Sequence, residues 1–417
     1  INATSYQTTK KSYHDIFGPW QDYEQISRKY LPDFIGTVKS FDKLKVGFSV
    51  VNGIHDSFDQ DNLVYFPSSE IATLDIEFAE EKFNLLLGPS FSYLVSDKLS
   101  FGTTLYYSYD TSRTVTKRLA EGFTAEEVAT LDIEERRESR GFTPVIGMQY
   151  MFTEKFVMGL TYRKNFNIGG VIRQKETLIE TRPLLSTFDP RLTSVANGFL
   201  LVENRNDAVT TIVADGRLVV GTPITHKRPE INQVNVGFAF FPNQRLTISV
   251  DAMYVAAYKY YLPQIEFNTE TNAASFSSPT NNYLERKATS NFSAGLEYYL
   301  TDSFILRMGY YTNNSNGKIS SWEQTALELA INEQQLGGNF TLPLQENLEY
   351  IYLSNRQEYV NKFGYTIGFG YATARSSFAI NVARENGSGG ARLEESELPH
   401  QMFKSKTTIY FTATSRY

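Results

Sequence analysis

The chain of 417 residues contains no cysteine, which excludes disulfide bonds and thiolate metal sites. Its formal net charge of −6 gives no indication of nucleic-acid binding. No stretch approaches the roughly 20 consecutive apolar residues that a transmembrane helix requires. The lack of a long apolar stretch excludes helical membrane spans. It does not exclude a protein that crosses the membrane with β-strands. A transmembrane barrel alternates lipid-facing and lumen-facing residues, so its average hydropathy resembles that of a soluble protein.

Histidine is also scarce, and its four positions give no evidence of an enzyme. His14-Asp15 and His55-Asp56 are His–Asp neighbours, and a histidine beside an aspartate could act as a general base. Adjacent loop residues point apart, however, and the spacing places no activated serine beside them. We expect all four histidines, including His226 and His400, to lie in loops. No pair has the spacing of metal ligands, so we predict neither an enzyme nor a cofactor.

The chain instead contains one repeated β-hairpin. Residues 295–311, GLEYYLTDSFILRMGYY, read as two alternating strands joined by a polar turn at Thr301-Asp302-Ser303. One face is apolar along both strands, and a period of two is typical of a β-hairpin. Five more copies read IGTVKSFDKLKVGFSVV, LGPSFSYLVSDKLSFGTTLYY, IGMQYMFTEKFVMGLTYRK, VGFAFFPNQRLTISVDAMY and IGFGYATARSSFAINVA. A repeated hairpin predicts a closed barrel.

Aromatic residues favour a membrane-embedded barrel over a soluble one. The 27 tyrosines and 30 phenylalanines cluster at strand ends and fall in the apolar register, as an interfacial girdle would. The alternative is a soluble β-sandwich with aromatic core positions. Aromatics flank the predicted turns at Tyr93, Phe101, Tyr150, Phe156, Phe240, Tyr298, Phe304, Tyr371 and Phe378.

Six hairpins supply twelve strands, and segments near residues 1–10 and 403–417 add two. The sequence therefore predicts an all-β fold: a 14-stranded antiparallel transmembrane β-barrel, with residues 1–417 as one domain. Short turns would face the periplasm and long loops the exterior of the bacterial outer membrane. The side chains that we expect to face lipid are Phe156, Met158, Leu160, Leu246, Ile248, Val250, Leu306 and Met308.

Two long loops carry helix-start patterns. A capping box at residues 124–127 predicts a helix to about Arg137, and Ser321-Trp322-Glu323-Gln324 predicts another. The second helix has an apolar stripe, so it either packs on neighbouring loops or collects an apolar ligand or partner. The residues of this candidate capture loop are Trp322, Leu327 and Ile331.

Four charged residues fall on inward positions well within their strands: Arg163, Asp251, Glu297 and Arg307. A turn at residues 301–303 places Glu297 directly opposite Arg307, and opposed residues are the contacting unit of an antiparallel ladder. Unpaired charges in a narrow lumen are costly, so these residues should form a polar network. The alternative is a gate or an anchor for a ligand carboxylate.

Three segments resemble the FadL-like family of long-chain fatty-acid transporters. FVMGLTYRKNFNI, at residues 156–168, is similar to the family's G-L-x-Y-R strand. VGFAFFPNQRLTISVDAMYVAAY, at residues 236–258, is similar to its G-x-x-Y-x-P…L…D…Y hairpin. Residues 294–310 are similar to its G-x-E-Y…L-R-x-G-Y hairpin. The three segments occur in the family's order, and the predicted strand count equals the family's fourteen.

This resemblance implies an outer-membrane channel for hydrophobic molecules such as long-chain fatty acids, which leave laterally through the wall. The implied partners are outer-membrane lipid and a hydrophobic ligand, with no nucleic acid and no cofactor. The alternative is a structural barrel whose loops bind proteins in a surface or secretion complex. No hatch segment with the family's Asn-Pro-Ala motif precedes the first predicted strand, so the resemblance does not place the ligand path.

Overall fold

The computed structural model describes residues 1–14, 22–65, 73–121, 128–180, 200–205, 208–212, 218–223, 229–261, 264–268, 273–277, 283–317, 358–391, 393 and 400–415. All regular secondary structure in these ranges is β-strand. Within the same ranges, no helix has the length and apolar character to cross a bilayer.

The strands are numbered in chain order. They are β1 (Asn2–His14), β2 (Tyr23–Phe41), β3 (Leu44–Tyr65), β4 (Thr73–Ser96), β5 (Leu99–Glu121), β6 (Val128–Thr153), β7 (Phe156–Lys164), β8 (Phe166–Glu180), β9 (Leu200–Arg205), β10 (Ala208–Ile212), β11 (Leu218–Pro223), β12 (Asn232–Asn243), β13 (Leu246–Val255), β14 (Tyr258–Tyr261), β15 (Gln264–Asn268), β16 (Ala273–Ser277), β17 (Tyr283–Arg286), β18 (Thr289–Tyr299), β19 (Phe304–Asn313), β20 (Glu358–Ala372), β21 (Ser376–Ala391) and β22 (His400–Ser415).

Fourteen of these strands close into an antiparallel barrel, which confirms the predicted architecture. The wall runs through β1 to β7, then β12 and β13, then β18 to β22. The last strand pairs with the first along its length, from Asn2 opposite Ala413 to His14 opposite Gln401. Closure gives every strand of the wall a partner on each side, which is the condition for strands to cross a bilayer.

Side chains alternate between the lumen and the outside, as the sequence predicts. Ile248, Val250 and Met308 are 37%, 49% and 47% exposed on the outer face. The intervening Ser249 and Asp251 line a cavity on the inner face. Rings near the turns pack against one another on the outer face; for example, the centroids of Phe304 and Tyr371 lie 5.2 Å apart. The outer surface therefore presents the apolar face and aromatic girdle that lipid requires.

Short polar turns fix the register of the hairpins at one end of the barrel. In the β18–β19 turn, the Thr301 hydroxyl accepts hydrogen bonds from the backbone N–H groups of Ser303 and Phe304. In the β2–β3 turn, Asp42 has φ of 48°, a left-handed conformation that Asp tolerates better than most residues.

At the other end, the wall extends well past the membrane. Strands β3 to β6 contain 22, 24, 23 and 26 residues, and about 10 residues suffice to cross a bilayer. β6 pairs with β7 near the turn and with β8 beyond it. Strands β8 to β11 then widen the sheet outside the barrel.

Several details of the sequence prediction are wrong. The helix expected to reach Arg137 is strand wherever it is described, because β6 begins at Val128 and pairs with β5 and β8 on its two sides. A ladder on both edges satisfies every backbone group and overrides a local capping signal. The capping box at 124–127 lies outside the described residues.

Strand continuity and the histidine positions also differ from expectation. The hairpin repeats predict strands over residues 156–176 and 246–267, whereas in the structure the first breaks at Asn165 and the second ends at Val255. His14, His55 and His400 lie within strands rather than loops. His226 lies outside the described residues, as does the candidate capture loop with Trp322, Leu327 and Ile331.

The depth of lipid-facing positions gives a direct test of the fold. Val250 lies four residues from the start of β13, near the membrane midplane, whereas Leu246 lies beside the turn. Val250→Arg should reduce the free energy of unfolding by about 2–4 kcal/mol and Leu246→Arg by about 0–1 kcal/mol, because arginine is costliest at the midplane. Unfolding in lipid vesicles by denaturant measures both. Equal costs would contradict this placement.

Candidate functional site

A buried apolar cluster occupies the lumen at the end opposite the short turns. It contains Tyr13, Phe58, Phe78, Val360, Ala391, Leu393 and Met402, with Tyr23 packed against it. The Phe58 ring centroid lies 5.8 Å from that of Tyr13, 6.0 Å from that of Phe78 and 6.2 Å from that of Tyr23. These are edge-to-face and tilted contacts of favourable geometry. Strands from both sides of the barrel seam thus form one hydrophobic core inside the barrel.

A row of lysines lies directly beneath this cluster on the turn side. Lys11 of β1 is opposite Lys404 of β22 in the ladder. Lys404 is in turn opposite Gly387 of β21, and Gly387 is opposite Lys362 of β20. The three lysines therefore lie in one row across four strands. The Lys11 and Lys404 side chains are 2% and 14% exposed. Directly opposed like charges repel, and Glu358 offsets this by lying 3.4 Å from the Lys11 amine and 3.6 Å from the Lys404 amine.

One step closer to the turns, Lys406 adds a fourth inward cation. Its two ladder partners are Glu385 of β21 and Thr9 of β1. Glu385 lies 3.3 Å from the Lys362 amine and accepts a hydrogen bond from Asn313 at 3.1 Å. Among the described residues, Lys406 has no carboxylate within 4 Å. It is the lysine of this layer without a direct ion pair, although Glu385 and Asp56 act on it electrostatically.

The barrel wall is incomplete between β2 and β3. Their ladder ends at Phe34 opposite Val51, although β2 begins at Tyr23 and β3 continues to Tyr65. Beyond that point β2 pairs with β1, and β3 pairs with β4. Side chains bridge the two strands again near the outer end, where Gln25 donates to the Asp59 carboxylate at 3.4 Å. The result is an unpaired window in the wall, described as the β2–β3 window below.

Gly53 marks the point where β3 leaves the wall. The β3–β4 register shifts between Asn52 and Ile54, so Gly53 is a bulge residue. A Cβ at Gly53 would overlap the Asn84 side chain of β4, so the bulge depends on the absence of a side chain. Two buried oxygens at the edge of the window, Asp33 Oδ2 and Asn52 Oδ1, have no hydrogen-bond partner among the described residues. Both are open to a water or a ligand donor.

The predicted Glu297–Arg307 pair is present. The two residues are opposite each other in the β18–β19 ladder, and Arg307 Nε donates to Glu297 Oε2 at 2.6 Å. Their side chains are 29% and 38% exposed, so the pair lines the lumen near the turns rather than being sealed in the wall. It lies far from the apolar cluster along the strands.

Asp251 and Arg163 do not join this pair. Asp251 accepts a hydrogen bond from Ser293 at 3.5 Å, and Arg163 interacts electrostatically with Tyr106 and Asp110 on β5. The four predicted residues therefore form three separate contacts around the lumen. A functional role for any of them remains a prediction.

Small residues keep the inner wall open near the turns. A cavity of about 420 Å³ lies against β4 to β7, β12 and β13, and its lining includes Gly102, Gly147, Gly159 and Gly237. Larger inward side chains lie flat over glycines. A Cβ at Gly237 would overlap the Asp251 carboxylate, and one at Gly364 would overlap the Tyr311 ring. Glycine on one strand thus makes room for the side chain of the next.

The described residues contain no group of three or more His, Cys, Asp or Glu side chains that could hold a metal ion. His14 Nδ1 lies 3.2 Å from an Asp22 carboxylate oxygen, whereas Asp15, its predicted neighbour, lies outside the described residues. His14 also stacks edge-on against Phe403, with ring centroids 5.6 Å apart. This arrangement is a surface contact at the outer end of β1.

Sequence reasoning missed the apolar cluster and the lysine row. Phe58 and Phe78 fall between the first two hairpin repeats, and Lys11 and Tyr13 lie beyond residues 1–10, the predicted first strand. The available signal was the continued alternation of Ile76, Phe78 and Glu80, all of which are buried. That alternation marks strands longer than a bilayer requires.

The fold and its lumen define an outer-membrane β-barrel, and comparison with known proteins places it in a family. Residues 2–320 match the family described as "Outer membrane protein transport protein (OMPP1/FadL/TodX)". The match covers most of the chain, so the chain belongs to this family of outer-membrane transport proteins. No curated protein matches it.

Solved structures share the fold at low sequence identity. A Pseudomonas aeruginosa FadL homologue is 11% identical with a TM-score of 0.56, over 99% of this chain and 89% of that chain. The P. putida toluene transporter TodX is 11% identical with a TM-score of 0.51, over 100% and 89%. At such identities the likeness concerns the fold alone.

A double-mutant cycle tests the interaction between Glu297 and Arg307. Glu297→Gln and Arg307→Met should each destabilise the barrel, and the double variant should lose less than the sum, with a coupling energy of about 0.5–3 kcal/mol. Denaturant unfolding in detergent measures the free energy of unfolding of the wild type and of each variant. The matched control pairs Asp251→Asn with Arg307→Met, which should be additive. Additivity in the first cycle would show that the ion pair contributes nothing.

Proposed function

We propose that this protein passes hydrophobic molecules, of which long-chain fatty acids are the preferred class, across the outer membrane. The observation that carries the proposal is the buried apolar cluster bordered by the lysine row. Binding sites for small molecules are mostly apolar, with a few placed polar groups that fix orientation. An apolar cluster next to buried cations suits a ligand with an apolar body and an anionic end.

In this proposal, the acyl chain of the ligand displaces the aromatic rings around Phe58. The carboxylate of the ligand then lies next to Lys406. Lys11, Lys362 and Lys404 are already paired with Glu358 or Glu385, so they offer less net charge. A hydrogen bond between an ammonium and a carboxylate is worth about 1.5–3 kcal/mol. The cations thus act as an orienting group, and burial of the chain supplies most of the affinity.

The relative TodX is a toluene transporter by its description, and a neutral aromatic hydrocarbon would use the apolar cluster alone. A fatty acid would therefore require the buried lysines, whereas a neutral hydrocarbon would not. The β2–β3 window supports a lateral route out of the lumen, since the strands there exchange no ladder hydrogen bonds. A molecule soluble in lipid would pass from the cluster through this window into the bilayer.

Replacing Lys406 separates these ligand classes. Wild-type protein should bind a long-chain fatty acid with micromolar or tighter affinity, about −8 kcal/mol. Lys406→Gln should weaken that binding roughly tenfold or more, because the carboxylate loses its charged partner. A fatty alcohol of the same length should bind both proteins equally. Isothermal titration in detergent measures each affinity.

The control variant is Lys45→Gln, which removes an exposed lysine near the β2–β3 turn and should change neither affinity. If acid and alcohol weaken together, Lys406 supports the fold of the site rather than the ligand. If the alcohol and toluene bind while the acid does not, neutral hydrocarbons are the substrate class. If no apolar ligand binds, the transport proposal is wrong.

A reversible cross-link tests the exit route. Lys29 of β2 and Asp56 of β3 interact electrostatically across the window, and the chain has no native cysteine to interfere. A disulfide between Lys29→Cys and Asp56→Cys should abolish uptake of labelled fatty acid by cells that express the protein, and reduction should restore it. The matched control joins Ser40→Cys to Lys45→Cys, an opposed pair in the intact part of the ladder. Undiminished uptake through the cross-linked window would exclude the lateral route.

A further inference from the structure

We propose that the outer surface of β21, β22, β1 and β2 binds the phosphate groups of an anionic outer-leaflet lipid. Its centre is one row of outward residues, Arg384, Thr407, Thr8 and Arg28, which we term the phosphate row. This site lies on the lipid side of the wall. It lies outside the lumen, although its Arg28 end is on the part of β2 that borders the β2–β3 window.

The ladder places these four residues side by side. Arg384 is opposite Thr407, Thr407 is opposite Thr8, and Thr8 is opposite Arg28. Their outward direction follows from the strand period, since Val382 and Ile380 on the same face of β21 are 37% and 39% exposed. Alternate residues of β21, such as Ala383 and Glu385, are buried toward the lumen.

The row rises from the outer half of the bilayer at Arg384 to the headgroup level at Arg28, which lies 13 residues from Phe41 at the β2–β3 turn, or roughly 30 Å along the membrane normal. Arg384 is six residues beyond Phe378, one of the aromatics beside the short turns, which corresponds to roughly 15 Å along the membrane normal for a tilted strand. Phe403, an exposed ring on β22, lies four residues beyond Thr407, or roughly 10 Å further out. Arginine here can extend its long side chain toward the headgroups.

Charge on this part of the surface is unbalanced. Lys10 pairs with Glu24 at 2.7 Å, and Glu24 is the one acid on the outward face of these four strands among the described residues. Arg384 donates to the Thr407 hydroxyl at 2.6 Å, which leaves its charge uncompensated. Arg28 is exposed, and within the described ranges no carboxylate lies in ion-pair distance of it.

The cations on the far side of the barrel behave differently. Arg113 pairs with Glu134 at 2.8 Å, Arg136 with Glu138 at 3.0 Å, and Lys117 with Glu77 at 2.7 Å. Those arginines are neutralised within the protein. Exposed Arg140 of β6 is an exception with no ion pair among the described residues, so what distinguishes the seam is that two such arginines share one row.

The chemistry of the row identifies its occupant. An arginine on a lipid-facing surface is costly unless it is paired, and the nearest anions above this row are the phosphates of outer-leaflet lipids. Guanidinium groups bind phosphate with two parallel hydrogen bonds. Two arginines separated by two threonines, at about 4.8 Å between strands, span roughly 14 Å. That span suits a lipid with two phosphates, and the threonine hydroxyls between them can donate to either.

The test uses bisphosphorylated lipid A as the probe. Protein purified in detergent is titrated with it, and bound lipid per barrel is counted by mass spectrometry of the intact complex. Arg28→Gln with Arg384→Gln should weaken binding at least fivefold. The matched control, Arg113→Gln with Arg136→Gln, removes the same charge from the far side and should bind as wild type does. Heat-modified mobility on gels verifies that each variant is folded.

Two further arms use the wild-type protein, so the proposal stays testable if the variant misassembles. Dephosphorylated lipid A should bind at least fivefold more weakly, and millimolar inorganic phosphate should not compete. Equal binding of both lipids, or equal losses in the two double variants, would overturn the proposal. Full competition by inorganic phosphate would also overturn it, because the site would then recognise free anions rather than a lipid.

Discussion

Hydrocarbon offers no hydrogen-bond partner, so a chain that crosses a membrane as strands has to close on itself. In this protein the seam between β1 and β22 provides that closure over the full length of β1. Once the wall is closed, side-chain alternation assigns every residue to the lipid or to the lumen. A one-residue slip in register would move every apolar side chain from lipid to lumen, so the register is strongly specified. The outer face is then committed to apolar side chains. All chemistry that could discriminate ligands is left to the inner face and to the wall above the membrane.

The constraint relaxes toward the outer end of the barrel, where the features of the candidate site lie. The β2–β3 ladder is complete near the turns and stops at Phe34 and Val51. Water or a ligand in the lumen can satisfy backbone groups beyond that point, so the two strands can separate there at a lower cost than in a wall with no access to the lumen. The bulge at Gly53 and the buried oxygens of Asp33 and Asn52 occur at this boundary. Backbone irregularity at such a point is typical of functional sites.

The sequence was most informative near the short turns and least informative far from them. The Glu297–Arg307 register follows from one turn of known length, because in a hairpin the turn fixes every opposed pair. The inward and outward sets of β13 and β19 follow equally well. All these residues lie within about ten positions of a turn, where a two-residue period and a tight loop constrain each other.

Farther out, local patterns failed for identifiable reasons. The capping box before Val128 is a signal about one helical turn, and it carries no information about the two strands that flank β6. Phe58 and Lys11 belong to polar stretches whose burial arises from strands distant in sequence, β20 and β22 among them. The apolar cluster joins residues 13 and 402 across the seam. No window of the sequence contains both sides of that contact.

The inner wall has a consequence for how such a barrel diverges. Tyr311 rests on Gly364 and Asp251 rests on Gly237, so the bore is set partly by positions that have no side chain. A methyl group added at either glycine would lift its neighbour into the passage while leaving the lipid face and the ladder unchanged. The width and polarity of the passage can therefore vary by single substitutions that the membrane does not sense. Relatives with little sequence in common can keep one outer shell around differently shaped interiors.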